Sequence, residues 1–273
     1  MSKHTLYIII TILILYQVII LSLKFHIESF TSLESKKINF ISKIAWINLD
    51  RSTDRNNYMN NILKDINIKN ERISGIDGKF NDVESIVNKL NLNRTLSNTE
   101  IACTLSHIKA INSLKNEHGD YFMVCEDDIS FSNLVYFRNI DLQKIIKSAP
   151  NFDVLLLNKT CRYQDLFQDT YIEWRPVIYS AVCYIITKEG VKKLINAAKY
   201  ITDYKFEFNT NVCNFFDFAD YYLYSILNTW VYKYNFISTS DDQESTIHSN
   251  HLDFHKVSNK INLDLILENK HLL

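Results

Sequence analysis

From Lys43 onward, short apolar runs alternate with longer stretches in which apolar residues recur every three or four positions. This alternation confines the chain to an α/β architecture. Lys43–Leu49 (KIAWINL) is a short apolar run before a polar turn and predicts a strand. In Thr53–Ile66 the apolar residues Tyr58, Met59, Ile62, Leu63 and Ile66 fall at helical spacing. Glu71–Ile73 predicts a second short strand that closes on the turn Ser74-Gly75-Ile76-Asp77-Gly78. Ser97 with Glu100 three residues on is a capping-box pattern, opening a helix to about Asn116 with Ile101, Leu105, Ile108, Ile111 and Leu114 inward. Tyr121–Cys125, Phe152–Leu157 and Ala181–Thr187 predict buried strands, the last followed by a helix from Lys188 to about Tyr200. The pattern predicts a sandwich with a largely parallel sheet, in which ligands bind beyond the carboxyl ends of the strands.

Composition narrows the function. With 47% hydrophobic residues in 273, the chain has material for a real core, and extended disorder is excluded. A formal net charge of -1 gives no field for steering onto nucleic acid. The 4 glycines form neither G-x-G-x-x-G nor G-x-x-x-x-G-K-[ST], so the two common phosphate-loop readings fail. The 5 cysteines (103, 125, 161, 183 and 213) contain no C-x-x-C pair, which leaves no support for a zinc ribbon or a thioredoxin motif. Cys125 and Cys183 lie in apolar runs and read as small buried hydrophobes.

Thr5–Leu23 is a run of 19 residues without a formal charge. As a helix it would rise about 28 Å, close to the hydrocarbon thickness of a bilayer. It exceeds a usual signal-peptide core, and no small-x-small cleavage site follows it. We therefore read residues 1–26 as a tail and transmembrane anchor, 27–42 as a stem, and 43–273 as one domain. Basic residues flank both ends of the run; the reading adopted is a cytosolic tail with the bulk lumenal or extracellular.

Three constellations carry the chemistry. Glu126-Asp127-Asp128 follows directly on an apolar strand, where mutual repulsion calls for solvent or a cation. Mn²⁺ or Mg²⁺ suits such oxygen ligands and is often shared with a phosphate. If strand geometry continues, Glu126 and Asp128 share one side and Asp127 points away. The alternative is a solvated acidic turn. Asn48, Arg51 and Arg55 lie just past the first strand, where guanidinium groups could fork onto phosphate oxygens. The alternative there is a loop with the arginines paired at helical spacing to Asp50 or Asp54. Ser106-His107 on the capped helix lacks the G-x-S-x-G elbow, so a serine hydrolase is rejected. A hydrogen-bonded structural histidine is the default reading of His107.

Taken in order, IAWINLDRSTDR (44–55), RISGIDGK (72–79), LSNTEIACTLSHIKAI (96–111) and MVCEDDI (123–129) resemble glycosyltransferase family 25, the group of lipooligosaccharide biosynthesis enzymes and procollagen galactosyltransferases. A weaker match is YSAVCYIITKEGVKKLI (179–195), continuing through FADYY (218–222) to STIHSNH (245–251). The resemblance implies a GT-A-like nucleotide-sugar-binding sandwich with a mixed, mostly parallel sheet. It implies inverting transfer of a hexose, galactose or glucose, from a UDP-sugar to a glycan or glycoprotein acceptor. It assigns Glu126 and Asp128 to the metal and diphosphate, and Asn48, Arg51, Arg55, Ser106 and His107 to the donor site. Asp220 matches a late acidic position, and Asp220 and Asp127 are the candidate bases. His248 is either a metal or phosphate contact or an exposed tail histidine. The chain departs from the family pattern at Ala102 and near Ser180, where glycine is frequent, and at Cys125, where an aliphatic residue is usual. A catalytically silent nucleotide-sugar or glycan binder is the alternative function, and a metal-dependent phosphohydrolase is a third.

Overall fold

The computed structural model describes residues 12, 15–19, 36–80, 82–92, 94–161, 163, 166–240 and 252–273, the last segment without the side chains of 252–255. Most of the apolar run Thr5–Leu23, the stem up to residue 35, and His248 lie outside the described residues. Among the described residues no helix is long and apolar enough to cross a membrane.

The chain runs β1 (Lys43–Asn48), α1 (Thr53–Leu63), β2 (Lys69–Ser74), α2 (Glu84–Val87), β3 (Asn91–Leu92), α3 (Asn98–Ser113), β4 (Tyr121–Glu126) and β5 (Ile129–Ser130). It continues through α4 (Leu142–Ser148), β6 (Val154–Leu156), β7 (Tyr171–Glu173), β8 (Cys183–Thr187), α5 (Lys188–Ala197), β9 (Ala198–Thr202) and β10 (Lys205–Phe208). It closes with β11 (Phe215–Phe216), α6 (Ala219–Ile226), β12 (Thr229–Tyr232), β13 (Ser238–Thr239) and α7 (Leu252–Asn269).

Seven strands form one mixed sheet in the order β2-β1-β4-β8-β6-β12-β7. Alternation within each central strand explains the layers. Ala45 and Ile47 of β1, with Phe122 and Val124 of β4, face a core shared with α3, α5 and α6. Ile44, Trp46, Met123 and Cys125 face the opposite core, which α1, α4 and α7 cover. Both faces of β1 are buried, so the strand reads as a continuous apolar run rather than an alternating one. Helix α3 starts where the capping box requires: the Ser97 side chain accepts from the Glu100 N–H, and the Glu100 carboxylate accepts from the Ser97 N–H. Such a cap is worth about 1 kcal/mol.

Several elements depart from the expectation. Strand β8 runs antiparallel to both β4 and β6, and β7 runs antiparallel at the edge, while the other five strands share one direction. Antiparallel neighbours need no helical crossover, so β8 is reached through a loop. The consequence is functional: the start of β8 lies beside the end of β4, where the Glu126 N–H donates to the Val182 carbonyl at 2.9 Å. The helix expected to reach Tyr200 stops at Ala197, because Ala198–Thr202 instead pairs with Lys205–Phe208. Residues 36–42, the end of the stem segment, belong to the packed body. Ile38 and Ile41 are buried, and Lys37 Nζ donates to the carbonyls of Arg138 and Ile140. All five cysteines are free.

Candidate active site

The carboxyl ends of β1 and β4 and one face of α3 enclose a cleft of about 570 Å³, open solvent included. Asn48, Arg51, Arg55, Ser106, His107, Glu126 and Asp127 line it. Asp128 and Asp220 are not among its lining residues.

Asn48 ends β1 and is 1% exposed. Its Nδ2 donates to Asp127 Oδ2 at 2.6 Å and to the Ser52 carbonyl at 3.1 Å, and its Oδ1 accepts from Arg72 Nε at 2.8 Å. Arg55, on the first turn of α1, donates to Asp127 Oδ1 at 2.7 Å and lies 3.9 Å from Asp128. Both oxygens of the buried Asp127 are therefore engaged in charge-assisted bonds that clasp the β1 and β4 tips. Burial still holds its carboxyl above the usual range, against the lowering effect of Arg55 and Asn48. Arg51 pairs with Asp77 on the facing turn at 2.5 Å. Neither arginine is paired at helical spacing to Asp50 or Asp54.

Asp128 differs from its neighbour. Its Oδ1 is buried and has no hydrogen-bond partner. Burial first, and then the Glu126 charge, push its carboxyl up to about 7. An acid so placed is stabilised by an added cation, and its unpartnered oxygen is what a hard divalent ion takes. The carboxylates of Glu126 and Asp128 are oxygen donors of the kind that Mn²⁺ or Mg²⁺ prefers.

On α3, Ser106 Oγ donates to the Ala102 carbonyl at 2.7 Å and accepts from the Ile76 N–H at 2.8 Å, which pins the β2–α2 loop to the helix. Gly78 in that loop sits so close to α3 that an added Cβ would lie 2.3 Å from the Asn98 carbonyl oxygen. His107 is fully buried and bridges Tyr184, at 3.1 Å from Nδ1, and Glu126, at 3.3 Å from Nε2. It is a buried, hydrogen-bonded histidine in the cleft wall, and it orients the Glu126 carboxylate.

Cys103 went unnoticed as a site residue in the sequence. It lies four residues before His107, so both side chains share one helix face. Its thiol is 3.9 Å from Glu126 Oε1, and donor atoms of Cys103, His107 and Glu126 all lie within 4.8 Å of one another. Burial, with the Glu126 and Asp220 charges, pushes the thiol well up. The i, i+4 spacing was the signal that could have found it.

Asp220 lies in the first turn of α6, and its Oδ2 accepts from the Ser180 N–H at 2.6 Å. Burial and the Glu126 charge raise its carboxyl to about 6, while the Ser180 bond and the His107 ring hold it lower. The antiparallel β8 makes this proximity possible, since it delivers Ser180 to the acidic tip.

An α/β sandwich with a carboxylate-rich cleft at the carboxyl ends of its central parallel strands is the architecture of a ligand-binding enzyme domain. Residues 41–211 match glycosyltransferase family 25 (LPS biosynthesis protein), more than half of the chain. The chain belongs to this family and is a glycosyltransferase, with a sugar donor and an acceptor as its partners. Asp220 and α6 lie beyond the matched segment. No curated protein sequence matches the chain.

Proposed function

We propose that the chain is a membrane-anchored, metal-dependent transferase of GT-A type that moves a hexose, galactose or glucose, from a UDP-sugar to a glycan or glycoprotein acceptor with inversion. The observation that carries this reading is the buried, unpartnered Oδ1 of Asp128 beside Glu126. Glu126 and Asp128 would hold Mn²⁺ or Mg²⁺, which when bound neutralises the donor diphosphate and the charge that develops on it. Asn48 and Arg55 keep Asp127 in place, and Arg51 and Arg55 add positive charge at the diphosphate end. Ser106 shapes the wall opposite, and His107 fixes the Glu126 carboxylate. In-line attack needs a group to take the acceptor proton, and Asp220 fits better than Asp127, whose two oxygens are both engaged.

Thermal shift of the full-length protein tests the donor site, because a ligand that binds the native state alone raises the midpoint. UDP with Mn²⁺ should stabilise the wild type, and Asp128→Asn should lose both this shift and transfer while keeping its metal-free midpoint. A variant that retained the Mn²⁺-dependent shift would remove Asp128 from the ligand set. Stabilisation by UDP without transfer to any acceptor would favour the silent binder, and acceptor-independent donor hydrolysis the phosphohydrolase. The uncharged run Thr5–Leu23 supports the anchor, and the bulk of the chain is proposed to be lumenal or extracellular. Release of the full chain from membranes by alkaline carbonate would refute the anchor.

A further inference from the structure

We propose that Tyr179 and Phe218 form a stacking platform for the acceptor saccharide, holding the apolar face of a pyranose ring beside Asp220. The proposal rests on the sugar-transfer reading above and adds an acceptor subsite to it.

The two rings belong to residues close in sequence to the two partners of one short bond. Tyr179 precedes Ser180, Phe218 stands two residues before Asp220, and the Ser180 N–H donates to Asp220 Oδ2 at 2.6 Å. Their ring centroids are 6.4 Å apart with planes tilted by 39°. Tyr179 is 41% exposed, although an aromatic ring of that size gains most by burial. It is held outward by its neighbour. Ser180 adopts φ 121°, in the region that favours glycine. Such a conformation is strained and persists where the surroundings over-determine it. Here three bonds do so: the N–H to Asp220, Oγ to Asn158 Oδ1 at 2.7 Å, and the carbonyl accepting from Tyr224 Oη at 2.8 Å. Phe218 is fixed by a different device. The Arg94 guanidinium sits 4.7 Å from its ring centroid, and Arg94 is itself held by Glu100 at 2.5 Å.

The chemistry of this patch suits a sugar. A pyranose presents polarised C–H groups on one face and hydroxyls around its rim. The face of an aromatic ring is electron-rich and attracts the first, while a carboxylate accepts from the second. Tyr179 and Phe218 supply the one and Asp220 the other. The cations proposed for the donor diphosphate, Arg51 and Arg55, line the cleft at the β1 and β4 tips.

Saturation-transfer NMR tests the platform, using methyl β-D-galactopyranoside, methyl β-D-glucopyranoside and methyl N-acetyl-β-D-glucosaminide as probes on the full-length protein. At least one should receive saturation on the protons of a single pyranose face. Tyr179→Ala and Phe218→Ala should each weaken that binding about tenfold, and Tyr179→Phe should keep it. The UDP–Mn²⁺ thermal shift should be unchanged in all three, which also shows that the variants fold. No saturation of any glycoside in the wild type, or full binding by both alanine variants, would overturn the platform. Loss of the UDP shift in Tyr179→Ala would overturn it as well, because the ring would then serve the donor. Glycoside binding in a wild type that never responds to UDP would instead sink the donor-site reading and leave the platform standing.

Discussion

Removal of Arg55 is the most exacting test of how the acidic tip is held together. Asp127 is 6% exposed and the Arg55 side chain 13%, so solvent screens their contact weakly. Among the described residues, Arg55→Ala leaves the Asp127 carboxylate with the Asn48 amide as its remaining side-chain partner, and also takes a cation from 3.9 Å beside Asp128. Breaking a buried pair from one side costs about 3–5 kcal/mol. At about 2–4 °C per kcal/mol for a chain of this size, the midpoint should fall by about 6–20 °C. The pH dependence has a definite sign. In the native protein the Asp127 carboxyl already titrates above its unfolded value of 3.8, and Asp128 at about 7. Losing Arg55 raises both further. Between the unfolded and folded values the native state binds more protons than the unfolded one, so stability falls as pH rises through that window. The deficit of Arg55→Ala should therefore be larger at pH 8 than at pH 5. The double variant Arg55→Ala/Asp127→Asn should recover part of it, as a coupled pair requires. Thermal melts of the wild type, Arg55→Ala, Asp127→Asn and the double variant at the two pH values measure this. A midpoint drop under about 2 °C would show that the clasp contributes nothing, and an equal deficit at both pH values would show that its contribution is not linked to the titration of these carboxyls.

Two further outcomes follow from the geometry. If Asp220 takes the acceptor proton, the transfer rate should fall as pH drops below about 6. Asp220→Asn should remove that limb and lower the rate by about 10²–10⁴-fold, whereas an unchanged limb in the variant would assign it to another group. Gly78→Ala should cost about 1–3 kcal/mol, since its Cβ would meet backbone atoms of Asn98 and Thr99 that cannot swing aside. A midpoint equal to wild type would mean the loop moves freely off α3.

The strand and helix core was legible because local pattern and burial agree there. Lys43–Asn48, the capping box at Ser97 and the apolar strand ending at Glu126 all appear as read. Residues that declare themselves by type and spacing, such as the three consecutive acids and the Arg51 and Arg55 pair, were found on the same grounds. Cys103 was missed although its spacing to His107 was available, because a lone thiol on an apolar helix looks like core. The end of α5 was misjudged because the pairing of Ala198–Thr202 with Lys205–Phe208 overrides helical periodicity.

Sequence by itself determined the sandwich, the family and the clustering of negative charge at one strand end, since each is written in residues close together along the chain. Tertiary structure decided how that charge is divided: Asp127 neutralised by Asn48 and Arg55, Asp128 left with an unpartnered oxygen, Glu126 turned toward His107. It also decided that an antiparallel β8 carries Ser180 and Asp220 to the same place. The partners in these contacts are 19 to 79 positions apart. Strand direction and side-chain pairing at such separations depend on packing of the whole sheet, which no local pattern encodes.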